Sequence, residues 1–365
     1  MQNNDMNFRR NKFDVTNTVD VTDPVSVGNA LENIFLGLYP EADPGTLRQA
    51  VRDIVRLYRG EHPDYAVCDT GYHDLQHILD VTLAAARLMD GYERSQQEGM
   101  PLGEELFLFG ITIALFHDSG YLRRRGIEDD RRGAEFTLTH VSRSAAFLKD
   151  YLQGIGMGKL ADTGAQLVHL TGYEIPPEHI LVPSPLHRLI GNLVATADML
   201  AQMSDRCYLE KCHDRLYNEF VLGGIATGRD KEGKEHVVFA SPQDLVAKTP
   251  GFYRGAKKRM DETLNGVYRY AEQHFGGQNL YLETIERNIR FAKRVIAHGA
   301  DIGMLQRSPP QTPGSDHGSA EADERKQYVD DRRKRIADRR QNQTPLYPVS
   351  IDCRRKNGDR RSGGS

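Results

Sequence analysis

The chain has 365 residues, of which 39% are hydrophobic, and a formal net charge of −3. This composition supplies a core of ordinary size for one large domain or two small ones. The longest apolar run, residues 106–116, is much shorter than the roughly 18 residues that a membrane span needs. The polar start has no signal-peptide pattern either. We therefore expect a cytoplasmic protein without a membrane span.

Composition and charge divide the chain into three parts. Residues 1–25 are polar without periodicity, which predicts a flexible lead-in. Residues 26–305 form the body, and residues 306–365 change to proline, glycine and mixed charge. From Glu321 onward, 13 Lys/Arg stand against 8 Asp/Glu. We expect a disordered, low-complexity basic tail that is solubilising or contacts nucleic acid or an anionic surface.

Apolar residues of the body recur every three or four positions, the period of amphipathic α-helices. Few stretches alternate with the two-residue period of strands, although a turn between two short extended pieces is expected around residues 228–234. The predicted fold class is therefore all-α, a multi-helix bundle. Predicted helices cover residues 27–38, 47–57, 73–91, 106–117, 135–152, 161–170, 186–220 with a break near 205, 252–275 and 280–297.

Two short motifs combine residue types that bind metals. His73 and His77 are four positions apart, so on a helix both imidazoles lie on one face and can point at one spot. His117 and Asp118 follow the apolar run, which carries a nitrogen ligand and a carboxylate on a helix expected to be buried. Burying them without an ion or a partner would be costly. Both motifs predict a metal site.

Further candidate ligands come one helix at a time, as in helical bundles where several helices each contribute inward side chains to one site. They are His140, His169 and Asp198. Asp198 stands in an apolar stretch, where an unpaired carboxylate needs an ion or strong donors; Asp205 is the alternative to it. For His140 and His169, a hydrogen-bonded core histidine is the alternative interpretation.

The motifs resemble those of a known superfamily. Residues 72–81, Tyr-His-Asp-Leu-Gln-His-Ile-Leu-Asp-Val, are similar to the first signature of the class I cyclic-nucleotide phosphodiesterases. The His117-Asp118 pair resembles the ligand pair that names the wider HD superfamily of metal-dependent phosphohydrolases. The resemblance covers about residues 60–220. It implies an HD-domain, PDEase-like catalytic bundle over residues 26–305.

The resemblance also implies roles for the candidate residues. It makes His73 the general acid that protonates the leaving oxygen. In the binuclear members that the extra histidines resemble, Asp118 would bridge two ions. The residues that match the ligand positions of these members are His77, His117, Asp118, His140, His169 and Asp198.

This sequence departs from the phosphodiesterases at two points. The position four residues beyond Asp118 is Leu122, where those enzymes carry a further histidine. Their base-reading glutamine has only Gln243 and Gln273 as candidates here. Recognition of a purine is therefore not implied.

Nitrogen and carboxylate ligands suit zinc, manganese, iron or, with water completing the shell, magnesium, so we expect one or two divalent metal ions as cofactors. Two neighbouring ions would activate a bridging water and hold a phosphoryl group for attack. A phosphate substrate must also meet positive charge. Arg124 follows the metal pair closely and Arg143 lies near His140, which makes both candidate substrate-binding residues.

The function predicted from these residues is a metal-dependent phosphohydrolase, a phosphodiesterase acting on a small nucleotide phosphoester. Two alternatives stay open. One is an HD-fold diiron oxygenase of a small polyol or phosphonate, since the same ligands can hold two irons. The other is a non-catalytic signalling or scaffold module that works through the basic tail.

Overall fold

The structure is a computed structural model that describes residues 9–96, 99–229 and 235–311. Most of the predicted basic tail, from residue 312 onward, lies outside the described residues, and so do residues 1–8 of the predicted lead-in. None of the described helices is long and apolar enough to cross a membrane.

The described residues form a helical bundle with one small antiparallel sheet, which confirms the all-α prediction. Strands β1 (Thr227–Arg229) and β2 (Glu235–Val237) pair where the extended pieces were expected. A π-helical turn, Cys212–Leu216, joins α8 to α9. The helices are α1 (Pro24–Leu38), α2 (Gly45–Tyr58), α3 (Leu75–Ser95), α4 (Gly103–Phe116), α5 (His140–Gly154), α6 (Ala161–Leu167), α7 (Pro185–Ser204), α8 (Tyr208–Lys211), α9 (Tyr217–Leu222), α10 (Pro242–Glu262), α11 (Tyr270–His274) and α12 (Leu280–Ala297).

Helix α3 runs through the centre of the bundle. Residues 75–92 are all buried, and the helix packs against α1, α4, α7 and α11. Asp74 caps its start by accepting the backbone N–H of His77 at 3.0 Å. Residues 107–116 of α4 are also all buried, because a helix that is apolar on every face belongs in the interior. Two buried helices therefore carry the candidate ligands.

Helix boundaries differ from prediction where local caps and turns intervene. Helix α10 begins ten residues earlier than expected, at Pro242, because the side chain of Ser241 caps it. The predicted continuation to residue 275 is interrupted at Asn265 and Gly266, which both have positive φ angles of 59° and 62°. The expected break near residue 205 is present, since Asp205 leaves the helical conformation at the end of α7.

Residues 9–23, which precede α1, are packed rather than loose, contrary to the expectation for this part of residues 1–25. Asp14 is fully buried and pairs with Arg87 of α3 at 2.5 Å, while Arg87 also donates to the Tyr281 hydroxyl at 3.1 Å. Residues 306–311, assigned to the tail, likewise contact the body: Arg215 donates to the carbonyl oxygen of Pro310 at 2.7 Å. Sequence polarity indicated neither contact, because each polar group finds its partner far along the chain.

Candidate metal centre

The predicted motif residues His77, His117 and Asp118 converge at one buried point. His77 lies in the first turn of α3, and His117 and Asp118 directly follow α4. The Nε2 atom of His77 is 3.3 Å from Asp118 Oδ2, and His117 Nε2 is 3.2 Å from the same oxygen. The three donor atoms, one from each residue, all lie within 4.8 Å of one another. This group could hold a metal ion.

Asp198 of α7 reaches the same point. Its Oδ1 atom lies 3.4 Å from His77 Nε2 and 3.9 Å from His117 Nε2. The approach follows from the packing of α7 along α3. Asp205, the alternative to Asp198, instead forms a buried ion pair with Lys211 at 2.6 Å and caps the end of α7.

The hydrogen bonding around the cluster tests whether a metal fits. The Nε2 atoms of His77 and His117 are buried, and neither finds a hydrogen-bond partner of adequate geometry among the described residues. The Nδ1–H of His117 donates to the carbonyl oxygen of Ala114 at 2.8 Å, which fixes the tautomer that leaves a lone pair on Nε2. Unsatisfied buried atoms need an explanation, and a cation between these nitrogens and carboxylates provides one. The residues fit a divalent ion.

The carboxylates and imidazoles of the cluster perturb one another's protonation. Burial alone would lower the pKa of His77, but Asp118 and Asp198 raise that pKa to about 10. Burial would lower the pKa of His117 as well, but the same carboxylates raise it overall. Burial would raise the pKa of Asp118, whereas His117 and His77 hold it well below its usual value. The cluster therefore attracts positive charge, which protons or a metal cation can supply.

His140 approaches the other side of the Asp118 carboxylate. Its Nε2 atom is 3.5 Å from Asp118 Oδ1, and its Nδ1–H donates to the carbonyl oxygen of Thr137 at 2.7 Å. Burial lowers the pKa of His140, which favours the neutral form that binds metals. Asp118 thus has His77 and His117 at one carboxylate oxygen and His140 at the other.

His169 is not brought into contact with this cluster by any interaction of the described residues. It lies in a short 3-10 turn, Val168–Leu170, and is buried. Its Nδ1 atom is buried without a hydrogen-bond partner in the described chain. Its role as a metal ligand stays a prediction.

His73 lies beside the candidate metal ligands. The four-residue spacing predicted that His73 and His77 share a helix, but they do not. Helix α3 begins at Leu75, because Asp74 caps it, so His73 lies in the preceding turn. Its ring centroid is 5.6 Å from that of His77 and 4.5 Å from that of Tyr121, on which it stacks. The two histidines are neighbours all the same.

Sequence reasoning missed Glu219 of α9 as a site residue. Its Oε2 atom lies 2.6 Å from His73 Nδ1, and its Oε1 accepts the backbone N–H of Tyr72 at 2.5 Å. The residue is 1% exposed. The available signal was a carboxylate set between the apolar residues Tyr217 and Val221, which must have a partner if the helix is buried.

The two predicted substrate-binding arginines lie on the loop after the metal pair and on α5. Arg143 donates to both carboxylate oxygens of Glu128, at 2.7 and 2.9 Å, and to the carbonyl oxygens of Gly120 and Leu122. It thereby holds the loop after the metal pair, and its contact with a substrate stays a prediction. Arg124 is exposed, and its backbone bridges to Tyr65. Its contact with a substrate stays a prediction.

The fold and the buried His-His-Asp group define the class that the structure supports: an all-α protein with a site that could hold a metal ion. No family model, no curated protein and no solved structure matches the chain. Membership of the HD superfamily therefore stays a prediction that rests on residues 72–81 and on His117-Asp118.

Proposed function

We propose that the protein is a metal-dependent phosphohydrolase that acts on a small phosphoester. The observation that carries the proposal is the convergence of His77, His117, Asp118 and Asp198 from three elements on one buried point, with unsatisfied imidazole nitrogens between two carboxylates. A divalent ion held there would supply a water with a lowered pKa and electrostatic stabilisation of a phosphoryl group.

His73 is the proposed general acid. The carboxylate of Glu219 accepts the Nδ1–H of His73, which fixes the orientation of the ring. With Nδ1 held by Glu219, a proton carried on Nε2 would be available for the oxygen that leaves when the P–O bond breaks. The stacking of His73 on Tyr121 restricts the ring to one orientation. This position of the proposed proton donor beside the proposed metal ligands supports the proposal, because ester hydrolysis needs both.

The Asp118→Ala variant tests the proposal. Protein purified without added ions is assayed for bound metal by elemental analysis, and for turnover on a panel of cyclic and linear phosphoesters. We expect at least one metal equivalent in the parent chain, and loss of both metal and turnover in Asp118→Ala with an unchanged circular dichroism spectrum. Asp150→Ala, which removes an exposed carboxylate on α5, is the matched control and should keep both.

Three results would contradict the proposal. Parent protein without bound metal that also binds none on addition would leave the scaffold alternative. Two iron equivalents with oxygen consumption coupled to substrate loss would establish the oxygenase alternative. Phosphoester turnover that persists in Asp118→Ala would show that the chemistry lies elsewhere.

A further inference from the structure

Three arginines from separate parts of the chain meet where α7 ends. The guanidinium of Arg9 donates to the carbonyl oxygen of Ser204 at 2.7 Å, and that of Arg206 donates to the side-chain oxygen of Asn11 at 2.9 Å. The guanidinium of Arg307 donates to the carbonyl oxygen of Arg206. These contacts fix the three side chains at one junction between both terminal segments and the body.

None of the three guanidiniums has a carboxylate partner within the part of the chain that the structure describes. A neighbouring carboxylate, Glu210, accepts only the backbone N–H of Arg307, at 3.4 Å. Burial, and then the charges of Arg307 and Arg9, lower the pKa of Arg206. The nearby carboxylates of Glu210, Asp80 and Asp205 offset this positive charge in part, but among the described residues none of them forms an ion pair with the three guanidiniums.

Some arginines of similar or greater burial form ion pairs. Arg87 contacts the Asp14 carboxylate at 2.5 Å, and Arg143 contacts Glu128 at 2.7 Å. Arg188 and Arg259 instead donate to backbone carbonyl oxygens, as Arg9 and Arg307 do. The junction differs from those single arginines because three guanidiniums from separate segments meet there.

Capping of α7 explains only part of the arrangement. Cations are favourable near the C-terminal carbonyl groups of a helix, and Arg9 serves that role at Ser204. One cation is enough for this purpose. The Nη2 atoms of Arg9 and Arg307 and both Nη atoms of Arg206 make no hydrogen bond to any described residue. Donors are therefore left over for a ligand.

We propose that this arginine junction, formed by Arg9, Arg206 and Arg307, binds a small phosphate-bearing anion. Guanidinium groups match phosphate oxygens through paired, charge-assisted hydrogen bonds. Side chains already held by backbone carbonyls and by Asn11 lose little conformational entropy on binding. Because the arginines come from both terminal segments, the anion would also strengthen the packing of residues 9–13 and 306–311 on the body.

Isothermal titration of the full-length chain with inorganic pyrophosphate, at physiological ionic strength, tests this site. We expect saturable binding of one pyrophosphate at the junction. Arg206→Met and Arg307→Met keep the aliphatic stem and should each weaken binding about tenfold, the effect of losing one charge-assisted contact. Arg290→Met is the matched control, since Arg290 is exposed on α12 and pairs with Glu286 at 3.6 Å; it should bind as the parent does.

A second variant separates the junction from the metal centre. Asp118→Ala removes a metal ligand and should keep the junction binding intact. Pyrophosphate should raise the melting temperature of the parent and of Asp118→Ala, but not that of Arg206→Met; Arg307→Met serves if Arg206→Met does not fold. Absence of saturable binding, binding lost only in Asp118→Ala, or equal weakening in Arg290→Met would each overturn the proposal.

Discussion

At the residue scale, the contact between His73 and Glu219 supports the proposed role of His73 as a proton donor. The two residues are 146 positions apart in sequence and 2.6 Å apart in space. Glu219 is buried and is also held by the backbone N–H of Tyr72, so its carboxylate cannot turn towards solvent. In the proposed mechanism, Glu219 would act through His73, as a positioning residue.

Glu219→Gln tests this role. The amide keeps the shape of the side chain but loses the charged acceptor for the Nδ1–H of His73, so we expect kcat on a hydrolysed phosphoester to fall about 100-fold. Metal content should not change, because Glu219 is not among the proposed metal ligands. A fall in rate that is accompanied by loss of the metal would reduce Glu219 to a structural role.

At the element scale, close contacts hold the turn after α4 against α5. A Cβ atom at Gly120 would lie 1.9 Å from the carbonyl oxygen of His140, so only glycine permits this approach. The backbone N–H of Gly120 donates to Ser144 at 2.9 Å. This contact sets the distance between Asp118 and His140.

Gly120→Ala should therefore destabilise the fold by about 3 kcal/mol, because the methyl group forces two backbone segments apart. It should also weaken metal binding, since Asp118 and His140 separate. Gly154→Ala is the matched control: its Cβ would meet nothing within 4 Å, and alanine is the better helix residue. Chemical denaturation measures the free energy of unfolding of both variants. A Gly120→Ala chain as stable as the Gly154→Ala chain would contradict the prediction.

The buried pair of Asp14 and Arg87 attaches the segment before α1 to α3. Burial would raise the pKa of Asp14, but Arg87 and the donors of its own loop lower it overall. A carboxyl group whose pKa is lowered by folding stabilises the fold at pH values above its unfolded pKa. This stabilisation is lost as the pH falls through the folded pKa. Asp14→Asn leaves Arg87 with an unpaired charge and should cost about 3 kcal/mol at pH 7.

Thermal unfolding between pH 2 and 7 measures this effect. The difference between parent and Asp14→Asn should shrink as the pH falls, because the parent loses the same charge. Asp162→Asn breaks the ion pair with Lys149, in which Asp162 is 86% exposed, and should cost much less than Asp14→Asn because solvent screens the pair. Equal losses in the two variants would contradict the expectation.

At the scale of the whole molecule, metal binding at the proposed site between α3, α4 and α7 should depend on pH. The pKa of His77 is raised from 6.5 to about 10 without a metal. The stability that its proton gives is complete below pH 6.5 and is lost as the pH rises towards 10. A metal replaces that proton, so metal affinity should rise with pH across the same window.

Competition with a chelator, with zinc as the probe ion, measures this coupling between pH 6.5 and 9. Apparent affinity should rise by up to about tenfold per pH unit for each proton displaced. Metal-free protein should become less stable over the window, while metal-loaded protein should not. A pH-independent affinity would show that the histidines carry no proton for the metal to displace.

The sequence by itself determined the helices and the chemical identity of the central ligands. Helical spacing of apolar residues is a property of near neighbours, so it predicted the all-α class and most of the helices. A histidine or a carboxylate inside an apolar run marks a buried group that needs a partner. His117, Asp118 and Asp198 carried that signal, while His77 was predicted from its four-residue spacing to His73, and the structure brings the four together.

Only the tertiary structure decided which partners the remaining polar groups found. Arg143 was predicted to contact a substrate, which stays a prediction, but its partners Glu128 and the loop carbonyl oxygens were not foreseen. Glu219 carried no motif, yet it meets His73 across 146 positions of sequence. Asp14 looked like part of a loose segment and is fully buried. Local periodicity fixes which face of a helix is apolar, whereas the partner of a charge depends on how helices distant in sequence pack together.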